Sequence, residues 1–292
     1  MSVLAFDLGG SAVKYGLYTD GVLHDKGQFK KPLLWTDMKA SMRSVFDASQ
    51  GISGIALSVP GVVDEGSGTV RGTSAIEYIH QFDIIASLRD VFQVPISMQN
   101  DAHCAALAEL HSGCAQGMSD LLFVVVGTGI GGVMIQRGEI VSGKNSFAGE
   151  FGCMILDGHT SFSLLGTAVH MAERYCLRNN EAKDAHDGCE VFRRAEMGEA
   201  LALEETSLFY DYLALGIYNL LFTSDPECIV IGGGVSQYEP LLANLETRIQ
   251  KRLSNAGFHD FKFDLRMAHF HNDANLMGAI SNHLKMNEKL ES

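Results

Sequence analysis

The chain is short of positive charge. Its 22 lysines and arginines stand against 35 aspartates and glutamates, a formal net charge of −13. Nucleic acid is bound mainly through Lys and Arg on phosphates, and anionic membrane surfaces draw on the same residues, so neither is an expected partner. No two of the six cysteines, at 104, 114, 153, 176, 189 and 228, form a C-x-x-C pair. They read as buried thiols in a reducing cytosol. The longest apolar run, 121–135, is broken by glycines and too short to span a bilayer. The first residues hold no basic region and no cleavable apolar segment, so no signal peptide is expected and the protein reads as cytoplasmic. Disordered linkers and low-complexity segments are also missing. What remains is a chain with 46% apolar residues, ample for a packed core, whose 292 residues suggest two domains.

Two stretches some 120 residues apart share one shape. The first is Leu4-Ala5-Phe6-Asp7-Leu8-Gly9-Gly10-Ser11, continuing into Val13-Lys14-Tyr15-Gly16-Leu17-Tyr18. The second is Leu122-Phe123-Val124-Val125-Val126-Gly127-Thr128-Gly129-Ile130-Gly131-Gly132, continuing into Val133-Met134-Ile135. Each is an apolar strand pattern, a glycine turn with one hydroxyl residue, and a second strand pattern. Glycine lets a ligand approach closely, and free N–H groups in such a turn form an anion-binding concavity. The repetition suggests a duplicated domain that grips a polyphosphate from both sides, as an ATP-using enzyme would.

Between these motifs the order is that of an α/β protein. Asp20-Gly21 marks a hairpin turn. Helices are expected over 36–50, 82–92 and 101–111, and strands over 52–59 and 94–98. In the second half, hairpin strands fill 121–142, helices are expected over 160–180, 184–205 and 207–222, and a strand over 228–231. The apolar spacing of Leu241, Leu242, Leu245, Ile249 and Leu253 predicts a further helix. Residues 261–265 alternate like a strand. The expected domains are 1–117 and 118–273, with a final helix, 274–286, crossing back onto the first and residues 286–292 frayed.

Several residues could carry chemistry. Asn100-Asp101 lies where a short strand feeds a helix. It reads either as an N-cap or as a site, since open α/β folds place ligands at strand ends. A carboxylate there could take the proton of a substrate hydroxyl attacking phosphorus, with Asn100 fixing other hydroxyls. Glu150, between Gly149 and Phe151-Gly152, reads as a surface turn or as a two-oxygen acceptor for vicinal sugar hydroxyls. Pro60-Gly61 is a turn, or presents backbone groups to the same substrate. Asp7 either orients Mg²⁺ through water or caps the first hairpin, and Lys14 either reaches phosphate or is an outward strand residue. Gly232-Gly233-Gly234 is a loop, or a shelf for an adenine ring. Cys153 with His159 falls short of a zinc site, and His269 with His271 gives little reason to expect a metal.

These pieces together resemble the ROK group of sugar kinases and sugar-responsive repressors within the actin-like ATPase folds. The matching segments are Asp7-Leu8-Gly9-Gly10-Ser11, Val59-Pro60-Gly61-Val62-Val63-Asp64, Asn100-Asp101-Ala102, Gly127-Thr128-Gly129-Ile130-Gly131-Gly132, Ala148-Gly149-Glu150-Phe151-Gly152, and Asp225-Pro226 through Ile229-Val230-Ile231-Gly232-Gly233-Gly234-Val235. They run in family order over almost the whole chain. The resemblance implies a duplicated actin-like, ribonuclease H-like α/β fold, with the sugar in a cleft between two domains. It implies Asp101 as general base and Gly61, Asn100 and Glu150 as sugar ligands. Gly9, Gly10, Ser11, Gly127, Thr128 and Gly129 would hold phosphates, with Gly233 and Gly234 near the nucleoside and Mg²⁺ arriving with ATP near Asp7. A homodimer is implied as well.

Three departures from the family pattern matter. The repressors carry an N-terminal helix-turn-helix domain, whereas here the phosphate hairpin begins at residue 3, so none is expected. Many members follow Ala-Gly-Glu with Gly-His and a cysteine-rich zinc motif. Here Cys153 replaces the histidine and the cluster is missing, so no structural zinc is expected. The loop that usually supplies a sugar-binding asparagine reads Gly72-Thr73-Ser74-Ala75-Ile76-Glu77. The zinc-free Ala-Gly-Glu-Phe-Gly pattern, with Asn272-Asp273-Ala274 near Gly278-Ala279, is most similar to the bacterial β-glucoside kinases. The expected activity is an ATP- and Mg²⁺-dependent kinase acting on the 6-hydroxyl of a hexose or β-glucoside. The alternatives are a catalytically weak sugar sensor and a free-hexose kinase for glucose or N-acetylmannosamine.

Overall fold

Leu4, Phe6 and Leu8 point to one side of strand β1 (Ser2–Leu8) and Val3 and Ala5 to the other, and all five are buried. A strand apolar on both faces needs cover on both faces, and the rest of this unit is arranged to supply it. A computed structural model describes residues 2–80 and 82–291. The chain divides into two units, one running to Gln116 and resuming at His269, the other spanning Gly117–Ala268.

In the first unit β2 (Ala12–Thr19) and β3 (Val22–Lys30) form a meander with β1. The β2–β3 turn has φ 50° at Asp20 and 90° at Gly21, the left-handed pair that suits a two-residue hairpin. Helix α1 (Trp35–Ala48) leads to β4 (Ile52–Val59), which pairs parallel with β1. A small hairpin, β5 (Val62–Asp64) and β6 (Thr69–Arg71), follows. Helix α2 (Ile84–Phe92) is capped by Asp83, whose carboxylate accepts from Ala86 N at 2.8 Å, and it buries Ile84, Ile85, Leu88 and Phe92 at helical spacing. Strand β7 (Ile96–Asn100) completes the sheet order β3-β2-β1-β4-β7 and runs directly into α3 (Asp101–Ser112).

The second unit repeats that plan. Strands β8 (Leu121–Val126), β9 (Ile130–Gln136) and β10 (Glu139–Ile140) form the antiparallel part. A second small hairpin, β11 (Ile155–Asp157) and β12 (Thr160–Ser161), precedes helices α4 (Phe162–Leu165), α5 (Ala168–Arg178), α6 (Gly188–Glu196) and α7 (Ala200–Ser224). Strand β13 (Cys228–Gly232) pairs parallel with β8, and after α8 (Leu241–Asn255) strand β14 (Leu265–Met267) pairs parallel with β13. The order β10-β9-β8-β13-β14 has the same sense of pairing as the first sheet. Helix α9 (Ala274–Glu291) belongs to the first unit, where Leu276, Ala279 and Ile280 cover Val3, Ala5, Ala56 and Cys104.

Some boundaries differ from those expected. Residues 160–180 are not one helix: β12 occupies 160–161, and the chain breaks at Gly166, where a Cβ would press on the Phe162 ring. The break expected near 206 falls at Gly198 instead, whose φ of 86° stops α6. Helix α7 then runs unbroken through 206, where Thr206 returns its hydroxyl to the Ala202 carbonyl at 2.8 Å. The strand is 265–267 rather than 261–265, because Phe261 packs its ring near Phe222 and Phe258 ahead of the ladder. Helix α9 continues to Glu291 where fraying was expected, and Ser292 lies outside the described residues. The cysteines are not uniformly buried: Cys104, Cys176 and Cys228 are, whereas Cys153 and Cys189 are exposed. Among the described residues no helix is long and apolar enough to cross a membrane.

The α3–α9 contact is close enough to give a direct test. A Cβ on Gly278 would collide with the Cys104 backbone carbonyl, and helix backbone cannot move aside as a side chain can. Gly278→Ala is expected to cost about 3 kcal/mol or more, the upper range for overpacking. Urea denaturation of the two chains measures it. A loss under about 1 kcal/mol would mean that the helices separate freely.

Candidate functional site

Three groups of residues carry the candidate chemistry, two on the first unit and one on the second. The first is the β1–β2 turn. Asp7 lies opposite Lys14 on β2 and Ser58 on β4, almost wholly buried. A buried carboxylate needs hydrogen bonds to replace its water. Ser58 Oγ donates to Asp7 Oδ1 at 2.7 Å and Asn275 Nδ2 donates to the same oxygen at 3.1 Å. Among the described residues Oδ2 takes no hydrogen bond. Gly9 N closes the turn onto Ala12 O at 3.0 Å. A Cβ at Gly9 would lie 2.8 Å from that carbonyl oxygen, and one at Gly10 2.8 Å from Ala75 Cβ, so packing alone demands both glycines. Gly10 and Ser11 are exposed, and Lys31 ties the turn to the loop at Ala75 through Lys31 N to Ser11 O and Nζ to Ala75 O. Lys14 reaches the Asn272 carbonyl at 3.5 Å.

The second group is the junction of β7 and α3. Asn100 is the N-cap of α3, its Oδ1 accepting from His103 N at 3.1 Å. The same side chain donates Nδ2–H to the Gly61 carbonyl at 2.9 Å. Gly61 has φ 105°, a conformation that favours glycine, and a Cβ there would meet Val70 and Arg71. Capping and turn, set against a functional role in the sequence, are therefore both present, and one amide joins them. Asp101 is the first helical residue and accepts from its neighbour Ala102 N at 2.8 Å. Burial raises its pKa above the ordinary 3.8, and nearby Asp7 adds to the rise while the Ala102 N–H opposes it. Gln99 stiffens the junction from below. Its Nε2 donates to Glu65, so its Oε1 accepts from Asn100 N and from His103 Nδ1. Burial lowers the His103 pKa to about 4, so its ring is neutral at pH 7.

The third group lies in the second unit. In the β8–β9 turn Gly127 N bonds Gly129 O at 2.9 Å, and Ser163 Oγ accepts from Ile130 N at 2.8 Å behind it. A Cβ at Gly127 would meet nothing, and its backbone is not left-handed. Neither packing nor strain explains glycine there. Gly127 and Thr128 open onto a pocket of about 550 Å³, walled by Gly234, Phe192, Gln237 and Tyr238 and by the first turns of α5 and α6 at Val169 and Gly188. Phe192 and Tyr238 stack at 4.2 Å, which makes one wall flat and aromatic. Gly234 is also free of packing demands, whereas Gly233, with φ 87°, presses onto the Val126 carbonyl and lies outside the pocket lining.

Glu150 is exposed on the second unit, apart from that pocket. Its flanking glycines serve packing: Gly149, with φ 96°, lies against Gly132 O, and Gly152 against Ile130 O and Ser163. They press the loop onto β9 and leave the carboxylate outward. Cys153 and His159 are both exposed, and among the described residues no group of three His, Cys, Asp or Glu side chains could hold a metal.

Sequence reading passed over Ser58, Asn275, Gln99, His103, Phe192 and Tyr238. Ser58 could have been found as the hydroxyl residue within the apolar run 55–59 of β4. Phe192 and Tyr238 carry no such signal, because stacking of residues far apart in the chain follows from the fold.

The beta-glucoside kinase of Klebsiella pneumoniae is 32% identical over 289 residues, covering 96% of this chain and 95% of that protein. The N-acetylmannosamine kinase of Escherichia fergusonii is 27% identical over 288 residues, 96% of this chain and 97% of that protein. A ROK family protein from Streptococcus pneumoniae, crystallised in complex with sucrose, superposes with a TM-score of 0.90 at 30% identity over 99% of this chain and 100% of that one. The two α/β units are those of the actin-like ATPase fold of ROK sugar kinases. Residues 4–285 match the ROK family, and the chain belongs to it.

Proposed function

We propose that the protein is an ATP- and Mg²⁺-dependent sugar kinase that phosphorylates the 6-hydroxyl of a hexose or β-glucoside. The observation that carries this reading is the β7–α3 junction. One asparagine caps a helix and holds the Gly61 carbonyl, beside a half-buried aspartate whose pKa is raised. The Asp101 carboxylate accepts the proton of the sugar hydroxyl as its oxygen bonds to the γ-phosphorus, and the bond from that phosphorus to the β,γ-bridging oxygen breaks to release ADP. Asn100 keeps a second amide proton and a second lone pair for sugar hydroxyls, and Gly61 and Glu150 add acceptors. Gly10, Ser11, Thr128 and Gly129 supply N–H and hydroxyl donors to phosphates, while Gly9 and Gly127, whose own N–H groups close the two turns, leave room for the phosphates to approach. The pocket bounded by Gly127, Gly234 and the Phe192–Tyr238 pair takes the nucleoside, with Gly233 outside the lining as the turn that brings Gly234 to it. Mg²⁺ bound with the nucleotide would neutralise phosphate charge, and Asp7 would be the residue to hold it through water. The working protein is read as a cytoplasmic homodimer without zinc and without a nucleic-acid partner. Purified protein supplied with ATP, Mg²⁺ and a sugar panel, followed by ADP release, tests the activity. No ADP above background with any sugar would sink it.

Asp101→Asn is isosteric and should leave sugar affinity nearly intact while lowering kcat by at least about 10²-fold, the scale of general-base catalysis. In the parent enzyme kcat/KM should rise with pH through the raised Asp101 pKa, because only the carboxylate accepts a proton. That acid limb should lie above 3.8 and vanish in Asp101→Asn. The same shift carries a stability sign. A carboxyl whose folded pKa is raised binds its proton more tightly when folded, so its contribution is present at low pH and lost as pH rises through the folded value. Asp101→Asn is therefore expected to melt no lower than the parent at pH 7, with the difference shrinking toward pH 4. A variant clearly less stable at pH 7 would assign Asp101 to capping instead.

Gly127→Val probes the pocket. Because the position is open, the melting temperature should hold while KM for ATP rises at least tenfold, about 1.4 kcal/mol of lost binding. An unchanged KM would move the nucleotide elsewhere.

The anomeric end of the sugar is the remaining question. Cys153 stands where many ROK members carry a histidine, and a thiol is a weak hydrogen-bond partner. A free anomeric hydroxyl left unpaired in a pocket costs on the order of 1–3 kcal/mol. A relative at 30% identity was crystallised with sucrose, a disaccharide. Cellobiose is therefore expected to match or exceed glucose and N-acetylmannosamine in kcat/KM under identical ATP and Mg²⁺. A free monosaccharide ahead by more than roughly tenfold would mark a free-hexose kinase.

A further inference from the structure

Glu109 on α3 is fully buried, yet the proposed chemistry makes no use of it. Its Oε2 accepts from Cys114 N at 3.0 Å, and its Oε1 from His269 N at 2.7 Å and Phe270 N at 3.0 Å. Its own carbonyl accepts from Gly113 N at 3.2 Å and Ala115 N at 3.1 Å. A Cβ at residue 113 would collide with Oε2, so glycine there leaves room for the carboxylate. These donors share a position in the chain. It leaves the first unit after Gln116 and returns at His269, so both passages begin at bonds to one carboxylate. Hydrogen bonds to an ionised acceptor are roughly twice as strong as neutral ones, which suits a joint that must not slip.

We propose that Glu109 is a positioning residue for phosphoryl transfer, fixing at one point both segments of chain that join the two units. The role rests on the kinase reading above, which assigns the base to one unit and the nucleotide pocket to the other. Transfer by positioning is sensitive to small displacements, and a misplacement of about 1 Å can cost about 10²-fold in rate. Glutamine at 109 keeps the volume but has one acceptor oxygen and an NH₂ group. It cannot accept at both ends, so one joint is released.

Glu109→Gln is expected to lower kcat at least tenfold while the Kd of cellobiose alone and of ADP alone stay within about twofold, since neither ligand touches Glu109 and binding tolerates a small displacement better than transfer does. Gly113→Ala, which pushes on Oε2 without removing it, is the second variant and should shift kcat in the same direction. Folded variants with parental kcat overturn the role. So does a matching rise in both Kd values, which would mark a general loss of structure. Amide exchange on the parent chain decides the anchor without reference to activity. Cys114, His269 and Phe270 should be protected alike, because they share an acceptor. Exchange at Cys114 more than about 10²-fold faster than at the other two overturns the shared anchor whatever the variants do. A parent chain inactive on every sugar sinks the kinase reading, and amide exchange alone then decides whether the anchor exists.

Discussion

A carboxylate at the end of a buried strand is stable only where hydrogen bonds replace its lost water, and the first unit is built around that constraint. Asp7 meets it with Ser58 from β4 and Asn275 from α9, so strand order and the final helix are both tied to one side chain. Asp101 meets it only in part. Its main compensation is a single neighbouring N–H, and its pKa rises as a result. Asp7 is thus firmly held by two side chains, whereas burial holds Asp101 back from ionising. That division suits one group that orients and another that exchanges a proton.

The duplicated hairpins look alike in sequence and differ in physical reason. In the first turn the glycines at 9 and 10 are required by contacts with Ala12 and Ala75. In the second, Gly127 has open space around its missing side chain, as does Gly234 across the pocket. A glycine that the fold does not need is the better pointer to a ligand. By that standard the second unit displays its pocket openly, whereas the first turn keeps its glycines for its own closure. The glycines around Glu150 belong with the first kind, since they press a loop onto β9 and so present an acid rather than approach a ligand themselves.

Family membership brings these features into one frame without assigning the sugar. Relatives at similar identity act on β-glucosides in one case and on N-acetylmannosamine in another, by their names. The loop at 72–77 is one of the places where the chain departs from the family pattern. That loop is well tied down here: Ser74 Oγ bonds the His80 ring at 2.9 Å and Lys31 bonds Ala75. A loop ordered by its own contacts offers a defined edge to a substrate rather than an adaptable one.

The order of elements, the two glycine turns, the strand-to-helix junction at Asn100-Asp101 and the crossing-back of the last helix could all be read from the sequence. Each is written in local pattern: apolar runs, glycine clusters, and a polar pair between a strand and a helix. The break at Gly198 and the continuity of α7 through residue 206 could not be read so well, because competing helix signals a few residues apart are settled by packing. Only the tertiary structure decided that Asn100 both caps and clamps, that Phe192 lies on Tyr238, and that Glu109 gathers N–H groups from residues 114, 269 and 270. The reason is the same in each case. Local sequence specifies which backbone conformation a segment prefers, whereas the partner of a buried polar or aromatic group is chosen by what the folded chain brings within a few ångströms of it.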